Sequence, residues 1–137
     1  MEIKLANHNN SEEITHFFGK YLDSTNDAIT SREFFCPFGL KAAIKRKQVM
    51  VCIFHNQIIG AIRFYPRKTD NIVSVYQFAI ATNHRGKKLF QQMLIMTGYK
   101  MFEVLCPLKS EFNNYYKKTK WILKKQNTKH NYWILTS

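Results

Sequence analysis

The spacing of apolar positions changes several times along the chain, and each change predicts a new element. EIKLA at residues 2–6 reads as a short first strand. Ile14, Phe17, Phe18 and Tyr21 then recur at helical spacing. Asn10 is the expected cap of that helix, with Glu13 three residues on completing a capping-box pattern. A second helical region is expected from Thr30–Ser31, broken near Pro37-Phe38-Gly39 and resumed through LKAAIKRK. From residue 48 the period falls to two. QVMVCIF and QIIGAIRFY flank a short His55-Asn56 break and predict a hairpin. Pro66 to Asp70 read as a basic loop, and NIVSVYQFAIA (71–81) as a long interior strand. Leu89, Phe90, Met93, Leu94 and Met96 share one face of a helix expected over residues 86–101. FEVLC is a short buried strand ended by Pro107, and Ser110 is the expected cap of a brief helix, EFNNYYKK. WILKK and NYWILT, joined by a polar loop, complete the pattern as two strands.

The order β–α–α–β–β–β–α–β–α–β–β predicts a single α/β domain over residues 1–137, with helices on both faces of its sheet. That length suffices for a self-sustaining core. Every apolar run is cut by lysine or asparagine well short of the ~18 residues of a membrane span, so no membrane partner is expected. MEIKLANHNN lacks an apolar signal core, and a cytoplasmic location is the expectation. Cys36, Cys52 and Cys106 are odd in number and lack CxxC spacing. They read as buried thiols, with neither a disulfide framework nor a metal site expected.

Charge changes the picture most. The net charge is +12, but residues 1–40 hold three basic and six acidic side chains, whereas residues 41–137 hold eighteen and three. A surface so positive attracts polyanions and speeds their arrival. A solvated lysine face gives the same totals, and charge alone carries no sequence specificity.

Residues 83–90, NHRGKKLF, join a strand to a helix with an Arg-Gly step. A helix N-terminus offers free N–H groups and partial positive charge to a phosphate. Arg85, Lys87 and Lys88 add full charges, and Gly86 permits a tight turn. In its element order the chain resembles the GNAT acyltransferases. Two patches carry the resemblance: IATNHRGKKLFQQML is similar to that family's acyl-CoA motif, Arg-x-x-Gly-x-Gly/Ala opening a helix, and NNYYKKTKW to its later tyrosine segment. IIGAIRF matches the sheet segment ahead of the motif. Arg85 keeps the motif arginine, while Lys88 and Phe90 stand where the family has its two small residues.

The resemblance implies a mixed, mostly antiparallel sheet and acetyl-CoA or another acyl-CoA as cofactor. It places Phe78, Ala79, Ile80, Arg85, Gly86, Lys87, Lys88 and Phe90 along that cofactor, the first three offering strand backbone to the pantetheine arm. Tyr116 matches the tyrosine that protonates the CoA thiolate during sequential direct transfer, with Tyr115 as the alternative under a one-residue shift. A phenol suits this, with an ordinary pKa of about 10 close to that of a thiol. Packing of a short aromatic helix would equally account for both. Ser74, Tyr76, Arg63 and Tyr115 are expected on the acceptor side. Ser74 occupies the place of a glutamate base in some members, and Glu111, His55, His84 and Cys106 are weak substitutes for it. The family includes toxins that acetylate aminoacyl-tRNA and phage DNA-modifying proteins of the Mom type. Lysines 117, 118, 120, 124, 125 and 129, interleaved with Tyr115, Trp121 and Trp133, therefore make tRNA or DNA an expected partner. A small amine or protein lysine as acceptor, and a nucleic-acid-binding module without cofactor, both stay open, as do monomer and homodimer.

Overall fold

The computed structural model describes residues 1–21 and 37–137. The elements are β1 (Glu2–Leu5), α1 (Ser11–Tyr21), α2 (Pro37–Lys45), β2 (Val49–Phe54), β3 (Gln57–Pro66), β4 (Ile72–Ile80), α3 (Leu89–Met96), β5 (Met101–Pro107), α4 (Phe112–Lys118), β6 (Ile122–Gln126) and β7 (His130–Thr136). Three boundaries differ from the sequence pattern. The capping box forms around Asn7 rather than Asn10: Asn7 accepts from the Asn9 N–H, and Asn10 accepts from the Asn7 N–H, across a 3-10 turn preceding α1. Pro37 opens α2 instead of breaking it, because a proline's missing N–H costs nothing in the first turn. The expected start at Thr30–Ser31 lies outside the described residues. The helix expected over 86–101 is confined to Leu89–Met96, since Gly86, Lys88 and Gly98 all take positive φ. A right-handed helix excludes such residues, and a left-handed glycine is a usual stop.

The His55-Asn56 break is a tight hairpin turn with both residues left-handed, the twist that two-residue loops require. The seven strands form one sheet in the order β1-β2-β3-β4-β5-β7-β6. All neighbours are antiparallel except β4 and β5. Gly60 identifies the face under α3, because a Cβ there would lie 3.0 Å from the Met93 sulfur. Met50, Ile62 and Phe64 lie on the same face by register. Val51, Ala61 and Ala79 lie on the opposite face and are buried, and α1 covers that side through Ile14, Phe17 and Phe18. Each such buried side chain contributes about 1.5–3 kcal/mol.

The parallel pairing is short. Ile72, Val73 and Ser74 pair with Met101, Phe102 and Glu103, and the ladder then stops. Val75 pairs with Phe64 and Gln77 with Arg63, which leaves Tyr76 as a bulge. A bulge bends its strand and strengthens the twist, turning the rest of β4 away from β5. Arg67 pins the last joined row: it pairs with the buried Glu103, donates to Ser74 Oγ at 3.2 Å and lies 3.6 Å from Asp70.

Arg67→Met should leave the Glu103 carboxylate buried without its partner and cost about 3 kcal/mol. The double variant Arg67→Met/Glu103→Leu should recover most of that loss. Urea denaturation of both variants checks this.

Candidate active-site cleft

The diverging strands enclose a cleft of about 1260 Å³, floored by Val75–Ile80 on one side and Val104–Pro107 on the other. Beyond Ser74, among the described residues, no strand bridges β4 and β5, so the β4 edge can hydrogen-bond an extended amide-bearing chain. The turn after β4 closes one end. Arg85 Nε donates to the Ile80 carbonyl at 3.1 Å, fastening the turn to the strand that precedes it. Gly86 has φ +80° and open space where a Cβ would be. Lys88 precedes α3 with φ 59° and ψ 24°. It holds, as a lysine, a backbone conformation that glycine adopts freely.

Phe90 is buried and stacks on Phe78, with ring centroids 4.0 Å apart and planes 5° from parallel. Trp121 lies beyond it at 6.0 Å. A large ring thus fills the position of a small residue and joins α3 to β4 by aromatic packing, worth about 0.5–1.5 kcal/mol beyond its area. Its depth leaves the cleft mouth to Arg85, Gly86 and Lys88, all of which line it.

At the other side stands Tyr116, on α4. It is buried among Trp121, Trp133 and Tyr115, at 5.2, 5.8 and 5.4 Å between ring centroids, and it lines the cleft. Burial pushes its phenol well above the ordinary range, and nearby Cys106 and Tyr115 add to the rise. Burial also raises the Tyr115 phenol and the Cys106 thiol, the latter partly offset by a hydrogen bond with Ser110. Asn113 fixes the helix that carries Tyr116. Its amide nitrogen donates to the carbonyls of Pro107, Leu108 and Ser110, and its oxygen accepts from Asn131 and from the Trp133 indole. The Ser110 hydroxyl accepts from the Phe112 N–H at 3.2 Å, but the N-cap of α4 is Glu111, one residue after the expected Ser110, and it makes no side-chain cap.

The structure therefore brings Phe78, Ala79, Ile80, Arg85, Gly86, Lys88, Phe90, Tyr76, Tyr115 and Tyr116 to one cleft. Lys87 is exposed and outside its lining, and its carbonyl accepts from Gln92. Ser74 lies at the closed vertex, held by Arg67. Arg63 stands over the Tyr76 ring at 4.6 Å without lining the cleft. Glu111 and His84 reach the lining, whereas His55 packs against Phe54 in the hairpin turn. Sequence reasoning missed Glu103 and Asn113. Asn113 had a local signal, a short amide beside Pro107 at a helix start, but its partners Asn131 and Trp133 are remote in sequence.

Among the described residues, Arg85, Lys88, Lys109, Lys118 and Lys120 line the cleft against one carboxylate, Glu111. Solved structures share this arrangement of elements. The PaiA N-acetyltransferase of Thermoplasma acidophilum, solved with coenzyme A, matches 99% of this chain and 98% of its own, with a TM-score of 0.75 at 13% identity. A GNAT-family acetyltransferase of Listeria monocytogenes matches 99% and 94%, with 0.76 at 10% identity. The chain has the GNAT fold. The diaminobutyrate acetyltransferase EctA of Paenibacillus lautus, solved with its substrate and coenzyme A, matches 98% and 93%, with 0.69 at 12% identity. No family sequence model and no curated relative matches the chain, so the likeness rests on three-dimensional arrangement. Lys88, which the sequence resemblance sets at the first motif glycine, has a left-handed backbone.

Lys88→Gly should relieve that backbone and raise stability by about 1 kcal/mol, measured by urea denaturation. The folded chain keeps its buried thiols and phenols neutral where the unfolded chain ionises them. Stability should therefore be flat through neutral pH and fall once pH passes about 8.5–10, the ordinary thiol and phenol range. Thermal melts at alkaline pH should show this fall, and it should be shallower in Tyr116→Phe.

Proposed function

We propose that the protein transfers an acyl group, acetyl in the simplest case, from acyl-CoA directly to an amine. One observation carries this reading: an unpaired strand edge, a basic helix-opening turn and a buried tyrosine share a single cleft. Solved neighbours of this fold contain coenzyme A. The residues suit that molecule. Phe78 and Ala79 would offer strand backbone to its pantetheine amides, and Arg85, Gly86 and Lys88 would face its pyrophosphate.

The thioester supplies an activated acyl carbon. The acceptor nitrogen forms the new bond as the carbon–sulfur bond breaks, and Tyr116 gives its proton to the departing thiolate. The nitrogen returns a proton to solvent, and the phenol is reprotonated from there. The phenol keeps its proton throughout the neutral range, and burial, which raises its pKa, makes it a weaker donor than an exposed phenol. Tyr116 is favoured over Tyr115 because it is wholly buried among the rings that fix its orientation.

The acceptor amine in this reading belongs to a nucleic acid or to a group attached to one. Among the described residues of the lining, a small polyamine would meet five cations and one carboxylate, an electrostatically unfavourable approach. The chain carries no acidic residue after Glu111, yet has six lysines from Lys117 to Lys129.

Radiolabelled acetyl-CoA incubated with the protein and separate pools of tRNA, aminoacyl-tRNA and DNA should label one pool. Acetyl-CoA should also raise the melting temperature. Absence of both label and thermal shift would exclude the enzyme reading. Tyr116→Phe should retain the thermal shift and lower turnover by about 100-fold or more. Unchanged turnover would remove Tyr116 from the chemistry.

A further inference from the structure

Acyl transfer through Tyr116 leaves one nucleophile in the cleft without a task. Cys106, near the end of β5, is buried and lines the cleft. Val73 pairs with Phe102, and the alternation of a strand carries that face through Val104 to Cys106. Trp133 pairs with Val104 and packs on Tyr116 at 5.8 Å, so Cys106 and Tyr116 share one side of the sheet. They are close enough for charge on Cys106 to act on the Tyr116 phenol. Cys52 is fully buried and outside the lining.

A thiol in a cleft wall is not in itself a binding site, but a second group marks this spot as the seat of a ligand atom. Tyr116 is 2% exposed and lines the cleft, yet no hydrogen bond joins its hydroxyl to any described residue. Polar groups of buried side chains ordinarily have partners, and this one faces the cleft without one. In the acyl-transfer reading its partner is the coenzyme A sulfur. That sulfur and the Cys106 sulfur are then neighbours of the same phenol.

We propose that Cys106 is a site of reversible modification by coenzyme A disulfide, which closes the cleft to acyl-CoA under oxidising conditions. The proposal rests on the acyl-CoA reading for the place of the cofactor sulfur. Cys106 loses its proton to solvent, and its thiolate attacks one sulfur of the symmetrical disulfide. The new sulfur–sulfur bond forms as the old one breaks. The second coenzyme A departs as a thiolate and takes a proton from solvent. One disulfide replaces another, with no net oxidation, and an added thiol reverses the step. Burial raises the Cys106 thiol, so disulfides arriving at random meet few thiolates. A disulfide held by its pyrophosphate at Arg85 and Lys88 instead presents its sulfur at a high effective concentration. The thiolate that does form is the stronger nucleophile for its raised pKa. Selectivity thus comes from the nucleotide, and the mixed disulfide fills the place that the thioester needs.

Intact mass of the wild-type protein after incubation with coenzyme A disulfide tests this. One coenzyme A should be added per chain, peptide mapping should place it on Cys106, and dithiothreitol should remove it. Saturating acetyl-CoA should suppress the adduct. Glutathione disulfide at equal concentration should react at least about 100-fold more slowly. The modified protein should lose the acetyl-CoA thermal shift and regain it after reduction. Cys106→Ala should keep that shift and form no adduct, and mapping on the wild type decides the site even if this variant fails to fold. An adduct on Cys36 or Cys52 would overturn the proposal, as would equal rates with the two disulfides. So would the absence of any adduct in a protein whose melting temperature acetyl-CoA still raises. Absence of the acetyl-CoA shift in unmodified protein would overturn the acyl-CoA reading itself, so the two failures are distinguishable.

Discussion

The structure depends on where β4 and β5 stop pairing. Two parallel strands would ordinarily continue side by side, since each additional pair adds ladder hydrogen bonds. Here they part after Ser74 and Glu103, because the bulge at Tyr76 re-aims the remainder of β4. Bending a strand away from its neighbour exposes backbone groups, and the joined end must therefore be held firmly. Arg67 does this from the β3–β4 loop, tying β5 through Glu103 and β4 through Ser74. A buried ion pair of this kind is weak evidence for stability but good evidence for a defined geometry. The cleft, its exposed strand edge and the position of α4 all follow from that vertex.

The two sides of the cleft are held by different physics. On the α3 side, an aromatic stack through Phe78, Phe90 and Trp121 replaces the close backbone approach that small residues would give. The turn above it keeps its left-handed backbone at Lys88 and accepts strain there. On the α4 side, a single amide, Asn113, joins the end of β5, the start of the helix and β7. Its bonds are satisfied on both its nitrogen and its oxygen, so it fixes α4 rotationally. Tyr116, one turn later, is then held with its ring packed against two tryptophans. Phe90 thus holds α3 to β4 by aromatic packing, and Lys88 adds positive charge along the cleft.

Much of this was legible in sequence. The period changes gave the element order, and the Arg85-Gly86 turn and the Tyr115-Tyr116 pair were recognisable from short-range pattern. Pro37 was misread because proline in a helix first turn and proline as a breaker look alike without the flanking geometry. The cap at Asn7 was missed for a similar reason: three asparagines lie within four residues, and only backbone angles choose among them. The site residues Ser74 and Lys87 sit outside the cleft lining, one drawn into the Arg67 network and the other turned to solvent.

The sequence by itself determined the alternation of strands and helices, the basic excess after residue 40 and the local turn chemistry, since each is set by neighbours within a few positions. Only the tertiary structure decided which side chains meet. Glu103 and Arg67 are 36 residues apart, and Asn113 and Trp133 are 20 apart. Their pairing depends on the register between strands, and a one-residue slip would turn every side chain to the opposite face. The same register aligns Tyr132 with Lys125 on one face and sends Trp133 inward to Tyr116. Adjacent residues of one strand thus face different chemistry, a distinction that exists only once the sheet has formed.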